Sequence, residues 1–147
     1  MVALSDTYIE NREMVLPDHA NTIGTVSGGP LMAWMDEVAS LSAMRFAGET
    51  CVTVGVSRME FERPIPVGRT AFLTAHVYAA GETSVRVRVR ADSEELQTGE
   101  REPTTEAYFT FVAIDDDREP APVPELTAST ERGRRLREEA IAGENDD

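Results

Sequence analysis

The chain has 147 residues, 41% of them apolar, and a formal net charge of −13. That length suits one domain with a sizeable core, and the apolar content excludes a disordered chain. The charge excludes nucleic-acid binding, which needs a basic footprint, and no run approaches the ~18 apolar residues of a membrane span. No basic-then-apolar leader opens the chain, so the expectation is a cytoplasmic protein without a membrane partner.

All 14 basic residues are arginine, against 27 acids. An acidic, lysine-free surface fits a salt-adapted protein whose self-repulsion is screened by counterions; a genome rich in arginine codons fits as well. Cys51, the single cysteine, cannot form an internal disulfide and reads as a small buried apolar residue. The two histidines and the cysteine lie far apart, so no metal site is expected.

In chain order, residues 7–16 read as a strand ending at Pro17. Residues 17–27 form a polar loop carrying His19, Asn21 and Gly24. Ser27 is a natural N-cap and Pro30 fits a first turn, so a helix follows, running to Phe46 and stopped by Gly48. At ~100° per residue its apolar side chains span an arc of roughly 200°. Leu31, Met32, Trp34, Met35, Val38, Ala39, Leu41, Ala43 and Phe46 lie on it. So wide an arc asks for cover by a curved sheet and by a second subunit.

Strands follow. Val52, Val54 and Val56 alternate on one face; the pattern slips near Arg58, as at a bulge, and resumes with Met59 and Phe61. Residues 64–68 form a turn. Leu73, Ala75, Val77 and Ala79 share one face of the next strand, Phe72, Thr74, His76 and Tyr78 the other. After Gly81, Val85, Val87 and Val89 point inward and Arg86, Arg88 and Arg90 outward, as a solvated face or a subunit contact. Residues 93–103 read as a long polar connection, and residues 104–115 as the last strand, with Phe109 and Phe111 inward. Residues 1–120 make the domain; 121–147 make an acidic, proline-rich tail with a short exposed helix and a frayed end. The class is α+β: an antiparallel sheet with hairpin-like links packed on one long helix.

One constellation could carry chemistry. Asp36 follows Gly29 by seven residues, close to two turns, so both face nearly the same side, ~10 Å apart along the axis. The aspartate side chain leans back toward the helix start, leaving room for a carbonyl and a water. Free N–H groups and the dipole at the helix start favour a developing oxyanion, and Gly28 and Gly29 admit close approach. These are parts of an acyl-transfer or hydrolysis site. Taken alone, Asn21 is turn chemistry and His19 a loop histidine.

The string Pro-Asp-His-Ala-Asn-x-x-Gly-x-x-x-Gly-Gly-x-x-x-x-x-Met-Asp-Glu, residues 17–37, resembles the cytosolic long-chain type of hot-dog-fold acyl-CoA thioesterase. MEFERPIPVG (59–68), EAYFTFVAID (106–115) and the PVPEL after it resemble that family's later segments, so the likeness runs over residues 7–126. It implies a hot-dog fold, with a five- to six-stranded antiparallel sheet wrapped around the helix. It also implies hydrolysis of acyl-CoA to fatty acid and CoA, within lipid metabolism. Asn21 would position the thioester carbonyl or the water, and Asp36 would be general base or nucleophile. Gly28 and Gly29 would hold the carbonyl. Coenzyme A is then part of the substrate and no separate cofactor is needed. The resemblance further implies a homodimer with composite sites, Asn21 and Asp36 coming from different chains, and stacking of dimers into hexamers. Arg63, Thr83 and Ser84 are candidates for the CoA nucleotide. Two other readings share the scaffold: a non-catalytic acyl-CoA-binding module, and an enoyl-CoA hydratase or dehydratase using His19.

Overall fold

The computed structural model describes residues 1–145. The frayed end expected at Asp146 and Asp147 lies outside the described residues. The elements are β1 (Val2–Ala3), β2 (Ile9–Met14), α1 (Gly28–Ala47), β3 (Thr50–Phe61), β4 (Thr70–Ala80), β5 (Ser84–Glu94), β6 (Arg101–Ile114), β7 (Leu126–Thr127) and α2 (Glu131–Asn145). Five strands form one antiparallel sheet in the order β2-β4-β5-β6-β3; β1 and β7 pair separately, in parallel.

The central helix begins and ends as its punctuation requires. Ser27 holds the N-cap in extended backbone, without a side-chain cap bond. Gly48 closes the helix in the left-handed region, φ 68°, and its N–H donates to the Met44 carbonyl at 2.9 Å. Leu31, Met35, Val38, Ala39, Ala43 and Phe46 of α1 are buried against the sheet's inner face, where Leu73, Ala75, Val77, Val85, Val87, Val89, Phe109 and Phe111 meet them. Each large side chain buried there contributes about 1.5–3 kcal/mol. One polar contact pins the helix: Ser42 Oγ donates to the Thr7 carbonyl at 2.7 Å, while Thr7 Oγ1 accepts the Val77 N–H at 2.9 Å. The wide arc is only partly covered within the chain, since Met32 and Leu41 remain exposed.

The inward valines of β5 and the bulge near Arg58 stand as the periodicity predicts, but a second register shift between Thr53 and Gly55 puts Val52 and Val56 on opposite faces of β3, so the three valines do not share the one face expected. The β3–β6 register shifts between Ser57 and Glu60, and Arg58 has φ 60°.

Three further expectations are corrected. First, β3 does not form a hairpin with β4: it pairs with β6 at the sheet edge, and residues 64–68 are a crossover. Strand period two reports which face is buried, not which strand lies alongside. Second, the long polar connection shrinks to residues 95–100, closed by Glu95 N–H to the Glu100 carbonyl at 2.9 Å. The polar residues stay in strand because they are paired: Glu94, 2% exposed, accepts from Arg12 Nε at 2.8 Å and Arg101 Nε at 2.7 Å. Both guanidinium groups lie over the Phe72 ring.

Third, the C-terminal helix is not an exposed appendage. It lies on the outer sheet face, burying Ala140 with Tyr78 and Tyr108. Arg86 pairs with Glu144, and Arg88 with Glu106 and Glu139. His76 Nε2 lies 3.3 Å from the Leu136 carbonyl, so that nitrogen carries the proton. Arg86 and Arg88 are therefore part of the docking face of α2, while Arg90 pairs with Asp92 on its own strand.

Candidate active site

The loop before α1 is wound around Asn21. Its Oδ1 accepts the N–H groups of Ile23 (3.1 Å) and Thr25 (3.0 Å), and its Nδ2 donates to Thr25 Oγ1 at 2.8 Å. Gly24, at φ 80°, supplies the left-handed residue the turn requires. The crossover fastens the loop from outside: Val26 N–H donates to the Ile65 carbonyl (2.8 Å) and Val67 N–H to the Gly24 carbonyl (3.0 Å). Asn21 is exposed, and its second amide N–H has no partner among the described residues.

The loop delivers the chain to the helix start, where Gly28 and Gly29 are the first two helical residues. Their N–H groups have no partner among the described residues, and Pro30 has none to offer. Neither glycine is needed for a positive φ. A Cβ at Gly29 would meet nothing within 4 Å, and one at Gly28 would meet only the Phe61 ring, at 3.9 Å. Glycine costs roughly 1 kcal/mol against alanine in a helix. The cost at these positions fits a need for approach from outside the chain.

Asp36 is two turns further along and half-buried. Its Oδ1 accepts a hydrogen bond from Thr53 Oγ1 on β3 at 2.6 Å. Sequence reasoning missed Thr53. The available signal was its parity: it shares a strand face with the core residue Cys51, so a hydroxyl points inward where apolar groups are the rule.

The structure brings Gly28, Gly29 and Asp36 onto one helix. It forms no hydrogen bond between Asn21 and Asp36 among the described residues; each is bonded within its own neighbourhood. His19 is held by its loop: Nδ1 accepts the Leu16 N–H at 3.1 Å and the ring stands edge-on to Trp34, centroids 4.9 Å apart.

The CoA candidates separate. Arg63 donates to the Pro103 carbonyl and approaches Glu102, while Ser84 pairs with Val112 at the other end of the sheet. Ser84 and Asp92, the partner of Pro103, are eight residues apart along β5, which is ~26 Å at strand rise. One chain does not gather Arg63, Thr83 and Ser84 around a common ligand. A cleft of about 550 Å³ on the outer face, beside Arg58, Arg90, Tyr108 and Glu139, is lined by none of these residues.

The fold and this helix-borne site define a thioesterase-type domain. Residues 23–100 match the family described as Thioesterase superfamily, and the chain belongs to that family. It is 35% identical over 141 residues to YkhA of Bacillus subtilis, described as an uncharacterized acyl-CoA thioester hydrolase, covering 96% of this chain and 82% of that protein. An apo-hexameric acyl-CoA thioesterase superposes with TM-score 0.87 at 37% identity, over 97% of this chain and 91% of that one. An acyl-CoA hydrolase from Staphylococcus aureus, solved with butyryl-CoA, CoA and CoA disulfide, gives TM-score 0.88 at 29% identity, over 97% and 87%. That enzyme has also been solved with one asparagine, one aspartate and one threonine each replaced by alanine, at intervals of 15 and 17 residues. Asn21, Asp36 and Thr53 stand at the same intervals here.

Proposed function

We propose that the protein is an acyl-CoA thioester hydrolase, with Asp36 as its central acid. The observation that carries the reading is the pairing, on one helix, of two free N–H groups under open space with a carboxylate two turns away. The thioester oxygen lies against the N–H groups of Gly28 and Gly29, which take the charge that develops as the carbonyl carbon becomes tetrahedral. Asp36, held by Thr53, draws a proton from water as the water oxygen adds to that carbon. The C–S bond then breaks and the proton passes to sulfur, giving a carboxylic acid and free CoA. Direct attack by Asp36 uses the same geometry and gives a mixed anhydride as CoA leaves; a single turnover in ¹⁸O-water with enzyme in excess distinguishes it when water opens that anhydride at the aspartyl carbon, since the label then enters Asp36, whereas base-activated water places it in the product acid.

Asn21 of one copy completes the site around Asp36 of another, through a homodimer that assembles further into hexamers. Three features support this: the loop-bound geometry of Asn21, the exposed Met32 and Leu41 on α1, and the long free edge of β3 with Val52 and Val54 uncovered. The nucleotide of CoA then meets residues of more than one chain, which is how Arg63 and the Thr83–Ser84 hairpin could serve one ligand.

Thiol release from acyl-CoA, followed with DTNB, is the test. Asp36→Ala and Asn21→Ala should each lower kcat by orders of magnitude with the melting temperature retained; full activity in Asp36→Ala overturns the mechanism. Mixing the two inactive variants, with subunit exchange, should restore about a quarter of parental activity, since half the dimers are mixed and each carries one intact site. No restoration places both residues in a single chain's site.

A further inference from the structure

The side chain of Asn21 closes a turn of its own over residues 21–25. Those bonds fix the shape of the turn but not where the turn stands. The crossover holds its returning side, through Gly24 and Val26. On the outgoing side, His19 makes three ties. Its carbonyl accepts the N–H of Ser27, the N-cap of α1, at 2.8 Å. Its Nδ1 accepts the N–H of Leu16, just after β2, at 3.1 Å. Its ring stands edge-on to Trp34 of α1, which is 9% exposed. A backbone N–H can only donate, so Nδ1 holds a lone pair and the proton of the neutral ring is on Nε2. With that lone pair engaged, the ring has only a donor left to offer. A general base needs a free lone pair, so His19 could take a proton at Nδ1 only by releasing Leu16.

We propose that His19 is a positioning residue of the thioesterase site: it sets where the Asn21 turn stands against the start of α1, and it takes no part in proton transfer. The inference rests on the thioesterase reading above. The bond to Ser27 is made by the main chain and survives any side chain at this position. The two ring ties differ in kind. The one to Leu16 is polar and joins the loop to the exit of β2; the one to Trp34 is packing against the helix. Both act on the short stretch from Leu16 to His19, and Asn21 follows only two residues later. Their loss should therefore leave the sheet and helix intact and displace Asn21, pivoting on the returning side that the crossover keeps in place. A displacement of about 1 Å in a positioning group can cost ~100-fold in rate. The polar tie requires an acceptor at the place of Nδ1 and nothing more, and the Oδ1 of an asparagine side chain supplies one at the same distance from the backbone.

The test is kcat and KM for thiol release from acyl-CoA by His19→Ala, His19→Phe and His19→Asn, each alone and combined with Asn21→Ala. His19→Ala should lose roughly 10- to 100-fold in kcat, with KM changed by less than about threefold. His19→Phe keeps a ring against Trp34 but no acceptor, and should lose activity as well; His19→Asn should recover most of it. Combined with Asn21→Ala, where no amide is left to place, none of the three should cost more. Melting curves and light scattering identify a variant that fails to fold or assemble; if His19→Ala does, the comparison of His19→Phe with His19→Asn decides. A His19→Ala rate within about twofold of the parent overturns the inference alone. So does a His19→Asn variant as slow as His19→Phe, or a loss that adds to that of Asn21→Ala, since either marks a histidine acting through its own proton. A parent that releases no thiol from any acyl-CoA overturns the thioesterase reading and this inference with it.

Discussion

Replacing Thr53 by valine isolates one hydrogen bond of the site. The two side chains have nearly the same shape, and valine suits a strand at least as well. Thr53 is exposed, so the fold should change by no more than about 0.5 kcal/mol. What is lost is the hydroxyl that donates to Asp36 Oδ1 at 2.6 Å. A hydrogen bond to a charged acceptor contributes about 1.5–3 kcal/mol, which at 1.36 kcal/mol per decade is roughly a 10- to 100-fold loss in rate if the bond orients the carboxylate in the transition state. The reading expects the loss in kcat, with KM little changed, because Thr53 acts on Asp36 and not on the CoA moiety. The decisive comparison is the double variant. If Thr53 works only through Asp36, then Thr53→Val with Asp36→Ala should be no slower than Asp36→Ala alone. A kcat within twofold of the parent, or losses that simply add, would refute the assignment of Thr53 as a positioning residue.

The buried imidazole of His76 gives a pH dependence. Burial, with Arg88 nearby, pushes it down to about 4. The unfolded chain binds this proton near pH 6.5 and the folded chain refuses it, so stability should fall between about pH 6.5 and 4, by at most ~3 kcal/mol. Denaturation midpoints for His76→Gln should lack that part of the slope; an unchanged slope would show that other groups cause it. Gly143→Ala should lower the melting temperature even though alanine favours helix by roughly 1 kcal/mol, because a Cβ there would overlap the Tyr108 hydroxyl. An increase would mean that α2 does not dock in solution as it does here. The acid-rich, lysine-free composition, with 27 acids against 14 arginines, predicts a melting temperature that rises from low salt into molar KCl. A steady fall would leave codon usage as the explanation.

The sequence carries the site's chain-local part clearly. Two glycines at the helix start, a serine at the N-cap position, a stop at Gly48 and an acid at two turns' spacing are all properties of consecutive residues. The slip of alternation at Arg58 was likewise visible, because a bulge is local. What escaped is pairwise. Nothing in the period of β3 says that it lies beside β6, and so nothing said that Thr53 would meet Asp36. In sequence Arg86 and Arg88 look solvated because their partners, Glu144 and Glu139, belong to a helix whose charge-rich pattern looks exposed as well. Each charge-rich segment looks like surface alone, and their complementarity appears only when both are considered together. The same holds for Glu94, whose burial depends on arginines from β2 and β6.

The crossover between β3 and β4 also bears on how the chain tolerates change in length. Connections are usually where insertions and tags do least harm. Here the segment around Ile65, itself 0% exposed, bonds both sides of the Asn21 loop, so an added or deleted residue there would displace the asparagine through Val26 and Gly24. The turn at residues 95–100 makes no backbone hydrogen bond to the Asn21 loop; it meets the crossover through the ion pair of Glu95 with Arg69, at 3.9 Å. A reporter peptide or circular-permutation break belongs in that turn, and length variation among natural relatives should be concentrated there and sparse between Pro64 and Gly68.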